Sequence, residues 1–139
     1  MSLAATTTSL ELARRQLEAE INESEGTALF TRLDVTSESD WHRVIQETVS
    51  AYGKIDILIN NAAIYQRVPI EHTTLEDWNN IMNINSTGVF LGTKHAIPAM
   101  RATGGGSIIN LSSTAGLVGS SRGSAYGASK GSVRLFTKY

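Results

Sequence analysis

Apolar residues recur every three to four positions in four stretches of the chain, and short aliphatic runs separate them. Leu10, Ala13, Leu17 and Ile21 keep to one face of a helix that opens at the capping-box spacing of Thr8 and Glu11 and runs to about Asn22. Glu23 to Gly26 reads as a turn, with Gly26 suited to stop the helix. Ala28 to Leu33 predicts a short strand that ends at Asp34. Ser37 to Asp40 is a second capping signal, followed by the stripe Trp41, Val44, Ile45, Thr48, Val49 and Tyr52, closed by Gly53.

Ile55-Asp56-Ile57-Leu58-Ile59 is the kind of run found in strands covered on both faces. Thr73 to Glu76 opens a third helix, predicted to extend through Trp78, Ile81, Ile84, Val89, Phe90 and Ala96 toward Met100. Gly104 to Gly106 breaks it, and Ser107 to Leu111 predicts another strand. A last helix begins near Ser124 and is predicted to be still running at Tyr139. Helices alternating with strands imply right-handed crossovers and a parallel sheet, hence an α/β fold. No repeat, low-complexity tract or linker interrupts the 139 residues, which read as one domain or part of one.

Composition narrows the function. A hydrophobic share of 41% against 18% charged residues fits a globular protein that buries roughly two-thirds of its unfolded surface. The formal charge of −1, with no basic stripe, gives no support for nucleic-acid or anionic-membrane partners. The absence of cysteine excludes a disulfide scaffold, a thiolate nucleophile and a Cys-ligated zinc site. His42, His72 and His95 show no metal-ligand spacing, so no metal is expected. Neither a signal peptide nor a membrane-length apolar run is visible, and a cytoplasmic location is the expectation.

In open parallel sheets, ligands bind beyond the carboxyl ends of the strands. Each predicted strand ends in small polar residues: Asp34-Val35-Thr36, then Asn60-Asn61-Ala62-Ala63, then Ser112-Ser113. Such residues also make good turns. Three ends that point the same way favour a site. Tyr126 and Lys130 stand at i, i+4, which puts both side chains on one helix face. Alone, that spacing is a weak signal. A phenol titrates near pH ~10 and serves acid–base chemistry near neutrality only if a neighbour, such as an ammonium, favours the phenolate. Ser113, at a strand end, is placed to hydrogen-bond a carbonyl oxygen.

Taken together these residues resemble the short-chain dehydrogenases/reductases. Asn60-Asn61-Ala62-Ala63 is similar to that family's Asn-Asn-Ala-Gly signature, and Asn85, Ser113, Tyr126 and Lys130 match its catalytic tetrad in order and spacing. The resemblance covers about Leu10 to Lys138. It implies a partial Rossmann-like, doubly wound parallel sheet with flanking helices, occupying residues 1–139 as a single partial domain. It further implies an NAD(P)-dependent oxidoreductase that interconverts a secondary alcohol and a ketone. Tyr126 would be the general acid/base, Lys130 would favour its phenolate and bond the nicotinamide ribose, and Ser113 would polarise the carbonyl. Asn85 would hold a water linking Lys130 to solvent. Asp34 and Val35 would face the adenine of NAD or NADP, and Asn61, Ala62 and Ala63 would pass beside the ribose. Ser112 competes for the serine role, but neighbouring strand residues face opposite ways, and the family's spacing favours Ser113.

Two departures from the family matter. Ala63 replaces a glycine, a modest steric change. No Gly-x-x-x-Gly-x-Gly turn occurs in the chain, so the amides that would meet the cofactor pyrophosphate are missing. The expectation is therefore a fragment, inactive alone, in which the strand at Ala28 to Leu33 loses its partners or pairs directly with that at Asp56 to Ile59. The latter strand would otherwise be an unprotected apolar edge. In the family the full-length protein is expected to be a homo-oligomer. Two other classes stay open: a noncatalytic remnant that works as an interaction module, and a flavin or nucleotide binder of another α/β family, in which Tyr126 would have no role.

Overall fold

The computed structural model describes residues 3–119 and 121–138, with side chains from Glu11 onward. The chain forms two compact units, Met1–Arg32 and Leu33–Tyr139. In the first, helix α1 spans Leu3–Glu23, so it starts earlier than the predicted Thr8–Glu11 capping pair, whose Thr8 side chain lies outside the described residues. The left-handed residue after the helix is Glu25 (φ 65°), not Gly26. Gly26 is required for a different reason: a Cβ there would lie 2.7 Å from Ile21 Cγ2 and 2.9 Å from Ile21 O.

The strand predicted at Ala28 to Leu33 is absent; these residues carry no ladder. Their backbone groups go to side chains instead. Ala28 N donates to Asn22 Oδ1 at 2.7 Å, and Phe30 N donates to Glu18 Oε1 at 3.0 Å. Arg14 and Arg15 stack over the Phe30 ring at 5.9 and 5.8 Å. A strand without a neighbouring strand has no reason to keep a strand's geometry.

The second unit carries α2 (Glu38–Tyr52), β1 (Ile57–Asn60), α3 (Leu75–Met82), α4 (Gly88–Ala102), β2 (Ser107–Asn110) and α5 (Ser124–Phe136). The strands pair in parallel, Ile57 with Ser107 through Asn60 with Asn110, as a two-stranded sheet. Helix α2 begins at the predicted cap, with Ser37 Oγ accepting from Asp40 N, and ends at Gly53 in the left-handed region (φ 79°). Ile55, Ala96 and Met100 form a core to which Leu58, Ile108, Ile45 and Val49 add partly buried surface. The opposite sheet face stays open: Ile57 is 60% and Ile59 56% exposed.

The long third helix divides. α3 has a full capping box between Thr74 and Asp77, whose carboxyl those hydrogen bonds hold below its ordinary value. A π-turn over Asn83–Thr87 then separates it from α4. α5 ends at Phe136, short of the predicted Tyr139, with Thr137 as its cap. No helix among the described residues is long and apolar enough to cross a membrane.

Candidate active site

The carboxyl ends of β1 and β2 and the start of α5 converge. β2 runs into Leu111, Ser112 and Ser113, and a 3-10 turn over Thr114–Gly116 follows, with Ser113 Oγ accepting from Ala115 N at 3.2 Å. That turn lies against α5. A Cβ on Gly116 would meet Lys130 C at 2.7 Å, and one on Gly127 would meet Ala115 O at 3.1 Å. Glycines on both sides therefore let the serine-bearing turn seat itself on the helix turn that carries Tyr126 and Lys130. Among the described residues, no protein acceptor takes the Ser113 hydroxyl proton.

Tyr126 and Lys130 share a face of α5, with Lys130 Nζ 5.9 Å from the centre of the Tyr126 ring. Lys130 is only 4% exposed, and its ammonium donates to Leu111 O at 2.7 Å. Burial holds its pKa below the ordinary lysine value. Tyr65, from the loop after β1, packs edge-on against Tyr126 with ring centres 4.9 Å apart. Ser112 points elsewhere: its hydroxyl donates to Lys130 O at 2.8 Å. It anchors α5 to the strand end, which leaves Ser113 as the serine with a proton to offer.

Asn85 lies in the π-turn with no exposed surface. Its Oδ1 accepts from Ile64 N at 2.8 Å, and its Nδ2 donates to Ile64 O at 2.9 Å and to Ser129 Oγ at 3.0 Å. It joins the loop after β1 to α5, so all four predicted tetrad residues belong to one connected region. The widened turn is the means by which Asn85 turns inward.

A groove beside the end of β1 is lined by Val35, Trp41, Asn61, Ala62, Ile84 and Gly88 among others. Three of the predicted cofactor contacts, Val35, Asn61 and Ala62, meet there. Ala63 is exposed just beyond it, and Asp34 is folded into its own turn, accepting from Thr36 N at 2.9 Å and Thr36 Oγ1 at 2.8 Å. Val35 O accepts from Trp41 Nε1 at 3.0 Å. Gly88 and Gly92, not singled out from the sequence, let α4 approach: a Cβ on Gly88 would be 3.0 Å from Val35 Cγ2, and one on Gly92 2.5 Å from Asn60 Oδ1. Their i, i+4 spacing in a helix, where glycine is unfavourable, is the signal that would have found them.

A parallel α/β unit with an apolar slot at its strand ends is the arrangement in which open sheets hold ligands. Residues 2–139 match the model of the short chain dehydrogenase family, and the chain belongs to that family. It is 45% identical over 123 residues to a cyclopentanol dehydrogenase of Comamonas sp. (strain NCIMB 9872), covering 88% of this chain and 49% of that protein. It is 44% identical over 125 residues to a trans-4-hydroxycyclohexanecarboxylate dehydrogenase of Sinomonas cyclohexanicum, covering 88% and 48%. Among solved structures it resembles an NAD+-bound xylitol dehydrogenase at TM-score 0.84 and 33% identity, over 89% of this chain and 48% of that one. The chain thus spans about half the length of the relatives it matches. The partial Rossmann-like α/β class is the one the sequence implied.

Proposed function

We propose that this chain carries the proton-transfer half of an NAD(P)-dependent dehydrogenase that interconverts a cyclic secondary alcohol and its ketone. The observation that carries the reading is the Tyr126–Lys130 pair on one face of α5, 5.9 Å from ring to ammonium, with the Ser113 turn packed on the same helix turn. The substrate class rests on the cyclopentanol and hydroxycyclohexanecarboxylate dehydrogenases among the relatives.

In alcohol oxidation Tyr126 takes the hydroxyl proton, and in ketone reduction it returns it. Lys130 presents its ammonium on the same face, 5.9 Å from the centre of the Tyr126 ring. Ser113 donates to the substrate oxygen and holds it toward Tyr126. The Asn85 amide is committed to Ile64 and Ser129, so any water Asn85 holds is held through its backbone. NAD or NADP, when bound, supplies the hydride acceptor or donor. The apolar groove lined by Val35, Asn61, Ala62 and Gly88 is the proposed seat of the adenine, with Asp34 and Ala63 at its margin. Lys130 would reach the nicotinamide ribose by releasing Leu111 O.

The sequence contains no glycine-rich phosphate turn, so the 139 residues alone are proposed to bind cofactor weakly and not to turn over. We place residues 1–139 in one domain of a full-length, cytoplasmic homo-oligomer. The alternative, a noncatalytic interaction module, is favoured by the open apolar sheet face at Ile57 and Ile59. Turnover of cyclopentanol with NAD+ or NADP+ by the full-length protein, lost in Tyr126→Phe, supports the enzyme reading. A Tyr126→Phe variant that keeps wild-type turnover overturns it.

A further inference from the structure

One hydroxyl touches two residues of the site from inside the molecule. Ser129 Oγ accepts from Asn85 Nδ2 at 3.0 Å and donates to Tyr126 O at 2.7 Å. Asn85 and Ser129 are both 0% exposed, so water has no access to replace either partner. A serine hydroxyl has one proton to give, and it goes to Tyr126 O. The Asn85 amide has no more freedom. Its remaining bonds, to Ile64 N at 2.8 Å and Ile64 O at 2.9 Å, fix its orientation, because a flipped amide would set oxygen against oxygen.

The carbonyl that Ser129 reaches is the important one. Tyr126 O is also the acceptor that the α-helical pattern assigns to the N–H of Lys130. A hydroxyl that bonds back to an earlier carbonyl in its own helix competes for it and bends the helix locally. The turn it acts on has Tyr126 at one end and Lys130 at the other. Ser132 offers a comparison on the same helix. Its hydroxyl donates to Ser129 O at 2.7 Å and lies 2.7 Å from Ser86 Oγ. It fastens the same helix junction without touching Asn85 or Tyr126.

We propose that Ser129 is a positioning residue: its hydroxyl couples the Asn85 π-turn to the Tyr126–Lys130 turn and so sets the distance from phenol to ammonium. This rests on the reading of Tyr126 as the proton-transfer group. Losing the hydroxyl loosens that turn and lets phenol and ammonium drift from their present spacing.

The test is the pH profile of kcat/KM for cyclopentanol oxidation in the full-length enzyme. Ser129→Ala is expected to move the midpoint up by about half a pH unit or more and to lower kcat about tenfold, with the alcohol KM little changed. Ser132→Ala is expected to lower Tm and leave the midpoint in place. Should Ser129→Ala fail to fold, Ser129→Cys keeps the volume with a weak donor and is expected to shift the midpoint the same way. An unshifted midpoint in the folded Ser129 variant, or an equal shift in Ser132→Ala, overturns the proposal. If Tyr126→Phe is dead while Ser129 variants keep the wild-type midpoint, only the positioning role fails. If Tyr126→Phe retains turnover, the parent reading fails.

Discussion

Asn60 donates from Nδ2 to Asn110 Oδ1, 2.8 Å away, across the last pair of the β1–β2 ladder. Asn110 passes the contact on, donating to Thr137 Oγ1 at 3.0 Å just after α5. The amides therefore hold the two carboxyl ends, from which the Asn61 and Ser113 segments depart, at a fixed spacing. Asn110→Ala removes the shorter of the two hydrogen bonds that the buried Asn60 amide donates, leaving only Thr93 Oγ1 at 3.4 Å, and is expected to cost about 1–3 kcal/mol in urea unfolding. Replacing Asn60 and Asn110 together by leucine is expected to cost less than the sum of the single changes. Strict additivity would show that the two amides do not act as a pair.

Adjacent serines have separate tasks. Ser112 ties its hydroxyl to Lys130 O, and Ser113 keeps its proton. Ser113→Ala is expected to cut kcat by about a hundredfold with little change in unfolding midpoint. Ser112→Ala is expected to lose about 1 kcal/mol of stability while keeping most of its turnover. Steady-state kinetics beside urea melts separate the two, and the reverse pattern would exchange their roles.

Lys130 carries a stability cost with a defined sign. Burial holds its folded pKa below the ordinary 10.5. Between the folded and unfolded values the unfolded chain binds more protons, so stability rises with pH through that window, and the cost is fully present below it. Lys130→Met removes the charge. It is expected to match or exceed wild-type stability at pH 7, with the advantage shrinking as pH rises toward 10.5, while turnover is lost. Urea midpoints at neutral and alkaline pH check this. A Met variant weaker at pH 7 than at high pH would mean that the bond to Leu111 O matters more than desolvation.

Gly92 sits where a Cβ would lie 2.5 Å from Asn60 Oδ1 and 2.8 Å from Trp41 Cη2, with Trp41 itself buried. Gly92→Ala is expected to destabilise by about 1–3 kcal/mol, as overpacking does, although alanine is the better helix former. Thermal melts of Gly92→Ala read the result directly. An increase in Tm would show that α4 withdraws freely from β1.

Much of this was legible in the sequence. The capping signal at Ser37, the aliphatic strands around Leu58 and Ile108, and the i, i+4 pair of α5 are local patterns that formed where expected, whereas the opening predicted at Thr73 and Glu76 formed one residue later, between Thr74 and Asp77. What was missed depends on neighbours. Ala28 to Leu33 has strand composition, but its N–H groups found Asn22 and Glu18 in place of a second strand. The stripe from Trp78 to Ala96 hides the π-turn because one added residue barely disturbs an apolar period. Ser129 looks like a neutral helix residue until Asn85, far away in sequence, is brought to it. Close approaches at Gly88, Gly92 and Gly116 belong to tertiary packing, which hydrophobic periodicity does not encode.

In the π-turn the N–H of Gly88 reaches back five residues to Asn83 O. Five residues thus fill a turn that ordinarily takes about four, and the surplus is absorbed inside the turn, so α4 is handed on in nearly the orientation an unbroken helix would give it. The spare residue serves Asn85, which reaches out of the turn to Ile64 and Ser129. Excising one residue between Asn83 and Thr87 would close the turn to ordinary helix, leaving Gly88 and Gly92 close to their present seats while taking the Asn85 amide from its partners. The length of this stretch is thus a requirement of the site more than of the scaffold.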